Sequence, residues 1–359
     1  MTRQIDFRYV VVRDGADFGL LSPANNSAPS LRMQDSGEIK AAFSGDFLPR
    51  VFHLTGRSVM QNAAVNWLRD QIRPELVLDG IPHPLGIYIP ATVTENESET
   101  TASLHVDAYD RCWQVQDSRT EELLHLDAGT NYITAIEQQL TAAGIGLVSA
   151  TTTPAALTEA REDWPIGTSR LRIVNQLLSE INYNPLWFDQ TGMAILEPAS
   201  TPTAANIEHT LDASDPDTLV LPGISRRTDI YRAPNVFIAV CSNPDKSGVM
   251  KAVSENTNPQ SPLSIARRGR RICTVVTVQN IASQEELQAY ADRMRNESMI
   301  TGETITVQTR LLPGFGVNDV VGIQYGDVFS VTIEKAWTME LRTGGRMVHT
   351  LERVVVNIG

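Results

Sequence analysis

Apolar and polar residues alternate through most of the first hundred positions of the chain. Ile72, Leu76 and Leu78 lie on one face of such a segment, and Asp79-Gly80 follows with the residue pair that a tight hairpin turn favours. A period of two is typical of a strand with one buried face. Further strands are predicted at 7–12 and 31–43, separated by a polar loop at 22–29, then at 85–93, and around Leu104, Val106 and Ala108. These segments predict one antiparallel β unit.

A helical period replaces this alternation in the middle third. Thr130 is predicted to cap one helix, and Thr168 or Ser169 to cap a second helix that Pro185 ends. The apolar positions at helical spacing are Ile133, Ile136 and Leu140 in the first helix, and Leu171, Val174, Leu177, Leu178 and Ile181 in the second. A hairpin is predicted at 186–196. The middle third is therefore predicted to be a small α+β domain.

The final third returns to strand-like alternation, and one helix is predicted to interrupt it. Ser283 and Glu286 match a capping box at the start of that helix, and Gly344-Gly345 predicts a hairpin turn. The predicted strands are at 235–240, 272–278, 304–310, 329–333, 339–341 and 347–356.

The order of these segments predicts a mainly β protein with an α+β insertion. We expect two tube-like antiparallel β-barrel domains, at 1–118 and 201–359, which flank a small α+β domain at 119–200. The two β units share no sequence identity strong enough to prove a repeat.

Composition is typical of a soluble globular protein. The chain has 359 residues, of which 42% are apolar and 20% are charged. This length can bury more than one sizeable core. No run approaches the 18 or so apolar residues that span a bilayer, and the first residues lead into a strand-like segment. We therefore expect the protein to fold in a cytoplasm and to have no membrane segment.

Charge and cysteine content exclude further classes. A net charge of −12 argues against nucleic-acid binding, which needs a surplus of Lys and Arg on one face. Cys112, Cys241 and Cys273 are each more than thirty residues apart, so they predict neither a disulfide framework nor a zinc site. We expect them to be buried free thiols.

The sequence predicts no catalytic residue, cofactor or metal ligand. The six histidines have no metal-ligand spacing, and the sequence has no nucleophile elbow and no Gly-rich phosphate loop. Asp127-Ala128-Gly129-Thr130 is similar to the loop of aspartic proteases, but that chemistry needs a second copy. Glu121-Glu122 and Glu162-Asp163 are candidate glycosidase acids, although neighbours in sequence seldom face each other across a substrate.

One basic cluster stands out in this acidic chain. It contains Arg267, Arg268, Arg270 and Arg271, with no aromatic residues interleaved. The lack of aromatic residues disfavours a nucleic-acid role. Guanidinium groups make bidentate pairs with carboxylates, so we expect these four arginines to contact a neighbouring subunit.

Several motifs, taken in order, resemble those of the bacteriophage tail hub or baseplate hub family, also called tail-associated or tail-tip proteins. The family is related to hub proteins of contractile injection systems and phage-like bacteriocins. The resemblance covers nearly the whole chain, and it depends on the order and spacing of structural motifs. These are Leu104–Arg111 in the first β unit, Asp127–Asn131, the segment from Leu171 to Phe188, Leu221–Ile224, Asp229–Val236, Ser261–Ile265 before Arg268-Gly269-Arg270, and Leu311–Gly314 with Asn318–Val321.

The resemblance implies a homotrimer whose two barrel domains per chain present six similar domains in a ring. Such a ring adapts a sixfold tail tube to a threefold tail tip or spike and lines the DNA channel. The implied partners are the distal tail or tail tube ring, a spike, fibre or tip protein, and the tape measure protein, with DNA passing without specific binding. Three chains would carry −36, so we expect an acidic lumen that repels DNA. The implied location is the virion tail, assembled in the host cytoplasm.

Two other functions stay open. A tail-tip cell-wall hydrolase would need converging carboxylates or a metal, and a receptor- or carbohydrate-binding module would need exposed aromatic residues on one face. Longer family members carry extensions that bind hosts or cut cell wall, and the sequence stops soon after the second β unit, so lytic activity is not expected. Most of the five tryptophans lie in apolar strand patterns and are predicted to be core. The hypothesis of an ordinary cytoplasmic enzyme is the least favoured.

Overall fold

The computed structural model of the protein describes residues 4–24, 27–53, 59–61, 65–97, 102–161, 163–199, 202–215, 220–227, 233–241, 250–278, 284–300 and 303–353. The strands are β1 (Ile5–Arg13), β2 (Ala16–Pro23), β3 (Ser30–Gln34), β4 (Ala41–His53), β5 (Val59–Gln61), β6 (Gln71–Leu78), β7 (Ile81–Pro84), β8 (Ile89–Glu97), β9 (Ala102–Tyr109), β10 (Val148–Ala150), β11 (Trp187–Phe188), β12 (Ala194–Leu196), β13 (His209–Asp212), β14 (Val220–Arg227), β15 (Val236–Cys241), β16 (Met250–Glu255), β17 (Cys273–Val278), β18 (Thr304–Thr309), β19 (Val320–Tyr325), β20 (Val328–Glu340) and β21 (Met347–Arg353). The helices are α1 (Arg111–Asp117), α2 (Tyr132–Ala142), α3 (Arg170–Glu180), α4 (Ile265–Arg268) and α5 (Gln284–Ile300), with a 3-10 helix at Ala204–Asn206.

The chain forms two compact units. The first contains residues 1–199, 310–317 and 336–348, and the second contains residues 200–309, 318–335 and 349–359. Each unit is rich in β structure, and the large sheets are mostly antiparallel, so the predicted fold class is confirmed.

The sheet of the first unit has the strand order β7-β6-β1-β2-β4-β3, and residues 336–340 of β20 pair with β3. All of these pairs are antiparallel. β4 also pairs with β9, and β9 pairs with β8. Asp79 and Gly80 have φ values of 51° and 86°, as a primed turn requires, so the predicted hairpin between β6 and β7 is confirmed.

Aromatic side chains fill the core beneath this sheet. The ring centroids of Tyr9 and Phe47 lie 5.2 Å apart in an edge-on arrangement, and those of Phe43 and Tyr88 lie 5.8 Å apart. The buried hydroxyl of Tyr88 donates to the Leu85 carbonyl at 2.9 Å. Leu104, Val106 and Ala108 of β9 are also buried, as their alternation predicted.

The middle segment has a hydrophobic core of its own, formed by α1, α2, α3 and the small sheet β10-β12-β11. The predicted stripes of α2 and α3 are buried in it, except that Ile181 is the partly buried C-cap of α3. Ser169 is the N-cap of α3, as expected. Asn131 and not Thr130 caps α2, because the Asn131 side chain accepts from the Thr134 amide.

Some predicted boundaries in the first unit are wrong. The segment 31–43 is two strands, since a turn separates β3 from β4. β2 was missed and extends to Pro23, into the predicted loop. β8 begins at Ile89 and not at residue 85. α3 ends at Glu180 because Asn182 adopts a positive φ of 61°, well before Pro185.

The second unit contains two sheets. In the larger one β14, β18 and β21 are neighbours, β21 is followed by β20, and β19 joins β20 to β13. The smaller sheet has the order β16-β15-β17, and α5 packs on β15 and β16 through Ala239, Cys241, Ala252, Leu287 and Ala291. Pairs β13-β19 and β15-β17 are parallel, which the antiparallel prediction did not anticipate.

Other predictions for this unit need correction. The strands expected at 329–333 and 339–341 are one continuous strand, β20, and α4 is an additional helix. Cys273 is exposed, whereas Cys112 and Cys241 are buried as predicted. Ser283 of the expected capping box lies outside the described residues. Within the described residues no helix is long and apolar enough to cross a membrane.

Candidate functional site

The arginine cluster lies on a loop that two buried asparagines hold in place. We call residues 256–272, which join β16 to β17, the arginine loop. The Asn235 side chain accepts from the Ile272 amide at 2.7 Å and donates to the Arg270 carbonyl at 2.9 Å. The Asn235 carbonyl accepts from the Asn256 amide at 2.9 Å. Asn235 thus ties β15 to both ends of the loop.

Asn256 organises the first half of the same loop. Its side chain donates to the Ser261 hydroxyl at 2.9 Å, and its carbonyl accepts from the Ile265 amide at 3.0 Å. Ser264 caps the single turn α4, and Gly269 ends it with a positive φ of 62°. Because Asn235, Asn256, Ser261 and Ser264 are all buried, the loop is fixed by its own hydrogen bonds and by β15.

The four arginines of this loop have different surroundings. Arg267 donates from Nε to the Pro259 carbonyl at 3.0 Å, and Arg268 donates to the Ala233 carbonyl. Arg271 makes a bidentate ion pair with Glu255, with contacts of 2.5 and 3.1 Å. Arg270 is exposed. Arg271 therefore has a carboxylate partner within its own chain, and the predicted subunit contacts of all four arginines stay a prediction.

A second polar cluster is fully buried in the second unit. His349 Nδ1 lies 2.6 Å from Glu334 Oε2, and His349 Nε2 lies 3.1 Å from Thr309 Oγ1. All three residues are 0% exposed. Burial raises the pKa of Glu334 well above its usual value and lowers the pKa of His349 to about 3. Both shifts favour the uncharged forms of the two side chains.

Beside this cluster, the partly buried His209 pairs with the buried Asp319. His209 Nε2 is 3.1 Å from Asp319 Oδ2, and the Glu334 amide donates to the Asp319 carbonyl at 2.9 Å. Burial acts to lower the pKa of His209, but the hydrogen bond and charge of Asp319 act against it and the net shift is upward.

Sequence reasoning missed Glu334 and His349. The available signal was Glu334 between the apolar residues of the segment 331–337, together with a histidine that shares its face with Met347 and Leu351. General acid–base catalysis requires contact with a substrate. Side chains with no exposed surface cannot make that contact in this conformation, so the cluster is a structural feature of the strands.

Two of the acidic candidates from the sequence, Asp127 and Asp163, flank His125. Asp163 lies 2.5 Å from His125 Nδ1, and Asp127 lies 3.3 Å from His125 Nε2. The hydrogen bond to Asp163 raises the pKa of His125, and all three residues are exposed. Glu162 lies outside the described residues. Over the described part of the chain, no group of three or more His, Cys, Asp or Glu side chains is arranged to hold a metal ion.

No family model matches the sequence, and no curated protein matches it. Solved structures do match. A tail protein from Neisseria meningitidis MC58 is 13% identical, with a TM-score of 0.64 and 96% of each chain covered. The 43 kDa tail protein of prophage MuSo2 from Shewanella oneidensis is 12% identical, with a TM-score of 0.65, covering 96% of this chain and 98% of that one.

A component of the type VI secretion system of Escherichia coli is also similar. It is 11% identical, with a TM-score of 0.51, and the match covers 95% of this chain and 76% of that one. That protein is described as structurally similar to the bacteriophage T4 tail proteins gp27 and gp5. The predicted resemblance is therefore confirmed at the level of structure: along almost its whole length, this chain has the fold of phage tail and baseplate hub proteins.

Proposed function

We propose that this chain is a structural hub protein in the tail of a bacteriophage or a phage-like particle. Three copies form a ring that adapts a sixfold tail tube to a threefold tail tip or spike. The ring lines the channel through which DNA passes. The observation that carries the proposal is the full-length match to a phage tail protein, 96% of each chain, because a shared single domain would not extend over both units.

The arrangement of the chain supports a structural role. Each of the two units is rich in paired strands, and the middle segment has a separate core. We therefore propose domains at 1–118, 119–200 and 201–359, with the first and last in equivalent positions around the ring. Three chains would then present six similar domains, which is the number that a sixfold tube ring requires.

The proposed partners follow from this geometry. One side of the ring binds the distal tail or tail tube ring, and the other binds a spike, fibre or tip protein, with the tape measure protein as a further partner. We propose assembly in the host cytoplasm and a final location in the virion tail. An acidic lumen would keep DNA from adhering, since the trimer carries −36.

The mass of the purified protein in solution tests this function. Three chains of 39.5 kDa give 118.5 kDa, and we expect this species by native mass spectrometry and light scattering at micromolar concentration. Class averages from electron microscopy should show a threefold ring with a central channel. A stable 39.5 kDa monomer, both alone and with the tube protein present, would contradict the proposal.

Two further measurements separate the proposal from the other functions. A zymogram with peptidoglycan should show no cleared band, whereas a cell-wall hydrolase would clear one. A reconstruction of the ring should show Asp and Glu outnumbering Lys and Arg along the channel wall. A wall dominated by Lys and Arg would refute the acidic lumen and leave the ring itself untouched.

A further inference from the structure

The small sheet β16-β15-β17 has one covered face and one open face. On the covered face, Ala239, Cys241 and Ala252 pack against α5. On the other face the register aligns Val253 of β16, Ile238 of β15 and Val275 of β17 in one row across the sheet. Val240 follows Ile238 on this side, two residues along β15. We call Ile238, Val240, Val253 and Val275 the open face.

The four side chains of the open face are apolar and accessible to solvent, and the exposed residues Lys251 and Thr277 lie beside Val240 on the same face. Val253 is 36% exposed and Val275 is 60% exposed, and Ile238 and Val240 are partly buried. In the described residues β16 and β17 each pair only with β15, so both outer edges of the sheet also lack a neighbouring strand there. A contiguous apolar patch of this kind on a protein surface is typical of an interface.

The charge around this face has the opposite sign to that of the chain. Residues 250–278 contain five basic residues and one acid, which give +4 against a total of −12. The rest of the chain therefore carries −16. The arginine loop joins the end of β16 to the start of β17, so its arginines lie at one end of the open face. Arg267 donates to a backbone carbonyl, and that bond does not cancel its charge.

We propose that the open face and the arginine loop bind the acidic surface of a second copy of this chain. The apolar row supplies the buried centre of the contact, and Arg267 and Arg270 at its rim pair with carboxylates of the neighbour. The copy is the favoured occupant because the rest of the same chain carries a net charge of −16, which is opposite in sign to that of this segment. This inference rests on the proposed ring and names the surface that closes it.

A nucleic acid fits this surface less well. Binding of single strands uses aromatic stacking platforms, and none of the four open-face side chains is aromatic. Phe237 of β15 is the nearest aromatic residue on the same strand, and it is 2% exposed on the opposite face. The arginine loop is also fixed by Asn235 and Asn256, which suits a preformed docking surface.

Charge and apolar variants test the surface in the full-length protein by sedimentation velocity over a range of concentrations. We expect Val275→Glu, and separately Arg267→Glu with Arg270→Glu, to weaken trimer formation about tenfold or more. Leu147→Glu and Arg226→Glu are the matched controls, because these residues are exposed elsewhere and should leave the trimer unchanged. Wild-type assembly should also weaken as the salt concentration rises from about 0.05 to about 0.5 M, because salt screens the attraction between exposed charges.

The outcomes distinguish this inference from the proposed function. A trimer in all four variants, with dissociation constants within about twofold of wild type, would overturn the surface and leave the ring standing. A monomeric wild type would overturn both. Loss of binding to tail tube protein, with the trimer intact, would assign the surface to that partner and overturn the second copy. If Val275→Glu does not fold, Val275→Thr replaces it, because threonine keeps the β-branched shape of valine. We expect this variant to form a weaker trimer with an unchanged circular dichroism spectrum.

Discussion

Replacing Glu334 by glutamine should change how the stability of the second unit depends on pH. In the folded protein Glu334 and His349 share one proton, because burial raises the pKa of the acid and lowers that of the histidine to about 3. In the unfolded chain the two groups titrate at their ordinary values of 4.5 and 6.5. The number of protons bound therefore differs between the two states outside the range from 4.5 to 6.5.

The sign of the effect follows from these proton numbers. Between pH 4.5 and 6.5 both states bind one proton, so the pair makes stability independent of pH there. Above pH 6.5 the unfolded chain binds none, and stability falls by about 1.4 kcal/mol per pH unit until the raised pKa of Glu334 is reached. Below pH 4.5 the unfolded chain binds two protons, and stability falls again as pH decreases towards 3. The contribution of the pair to the free energy of unfolding is therefore constant between pH 4.5 and 6.5 and decreases on each side of this range.

Comparison with Glu334→Gln isolates this contribution. In the variant, folded His349 stays neutral, and the unfolded chain lacks the acid. The stability difference, wild type minus variant, should then decrease by about 1.4 kcal/mol for each pH unit above 4.5. The decrease continues up to the raised pKa of Glu334 and stops there. The result holds whichever of the two residues carries the shared proton.

Native-state hydrogen exchange of amides in β18 and β21 is the suitable assay, after correction for intrinsic exchange rates. Tryptophan fluorescence would miss the second unit, because Trp67, Trp113, Trp164, Trp187 and Trp337 all belong to the first. Glu340→Gln is the control, since Glu340 is an exposed acid on the same strand, and its curve should parallel wild type. Parallel curves for wild type and Glu334→Gln would mean that the folded pair binds no proton, with Glu334 ionised and His349 neutral, and would contradict the prediction.

Three further predictions concern single positions. Asn235→Ala should destabilise the second unit by about 2 kcal/mol, and should speed exchange throughout the arginine loop, because two backbone groups lose their buried partner. Gly192→Ala should cost more stability than Gly129→Ala, measured by urea unfolding. Both glycines have positive φ, but only the new Cβ at 192 would lie 2.8 Å from a neighbouring side chain, that of Ile87. Equal losses of stability would contradict this packing. Leu177→Ala should cost about 2–5 kcal/mol, measured by tryptophan fluorescence, because its side chain is 0% exposed in the core of the middle segment.

Local signals predicted the elements that depend on local interactions. The turn at Asp79-Gly80 needs two residues that tolerate positive φ, and those residues are adjacent in sequence. The stripes of α2 and α3 repeat at helical spacing and are buried. α1 was missed because its seven residues bury only Cys112 and Val115, which is too short a pattern to distinguish from the preceding strand.

The error in β20 has a physical cause. The apolar pattern breaks at Glu334 and Lys335, so the sequence predicts two strands. The strand continues because Glu334 forms a buried hydrogen bond with His349, and because Lys335 donates to the Asn318 side chain at 2.7 Å. His349 is 15 positions from Glu334 in the sequence, and Asn318 is 17 positions from Lys335. Such pairing is a tertiary interaction that no local period contains.

The same reasoning applies to the arginine loop. Its charges were visible in the sequence, but the residues that hold it were not, because Asn235 precedes a strand and looks like an ordinary boundary residue. Its two side-chain partners are 35 and 37 positions away. Residues that gain their role through distant backbone groups carry no signature of their own, whereas a cluster of like charges does. We expect an exposed basic cluster on an acidic protein to be held rigidly where it binds a partner in a fixed orientation. The conformational entropy of the loop is then lost on folding and not on binding.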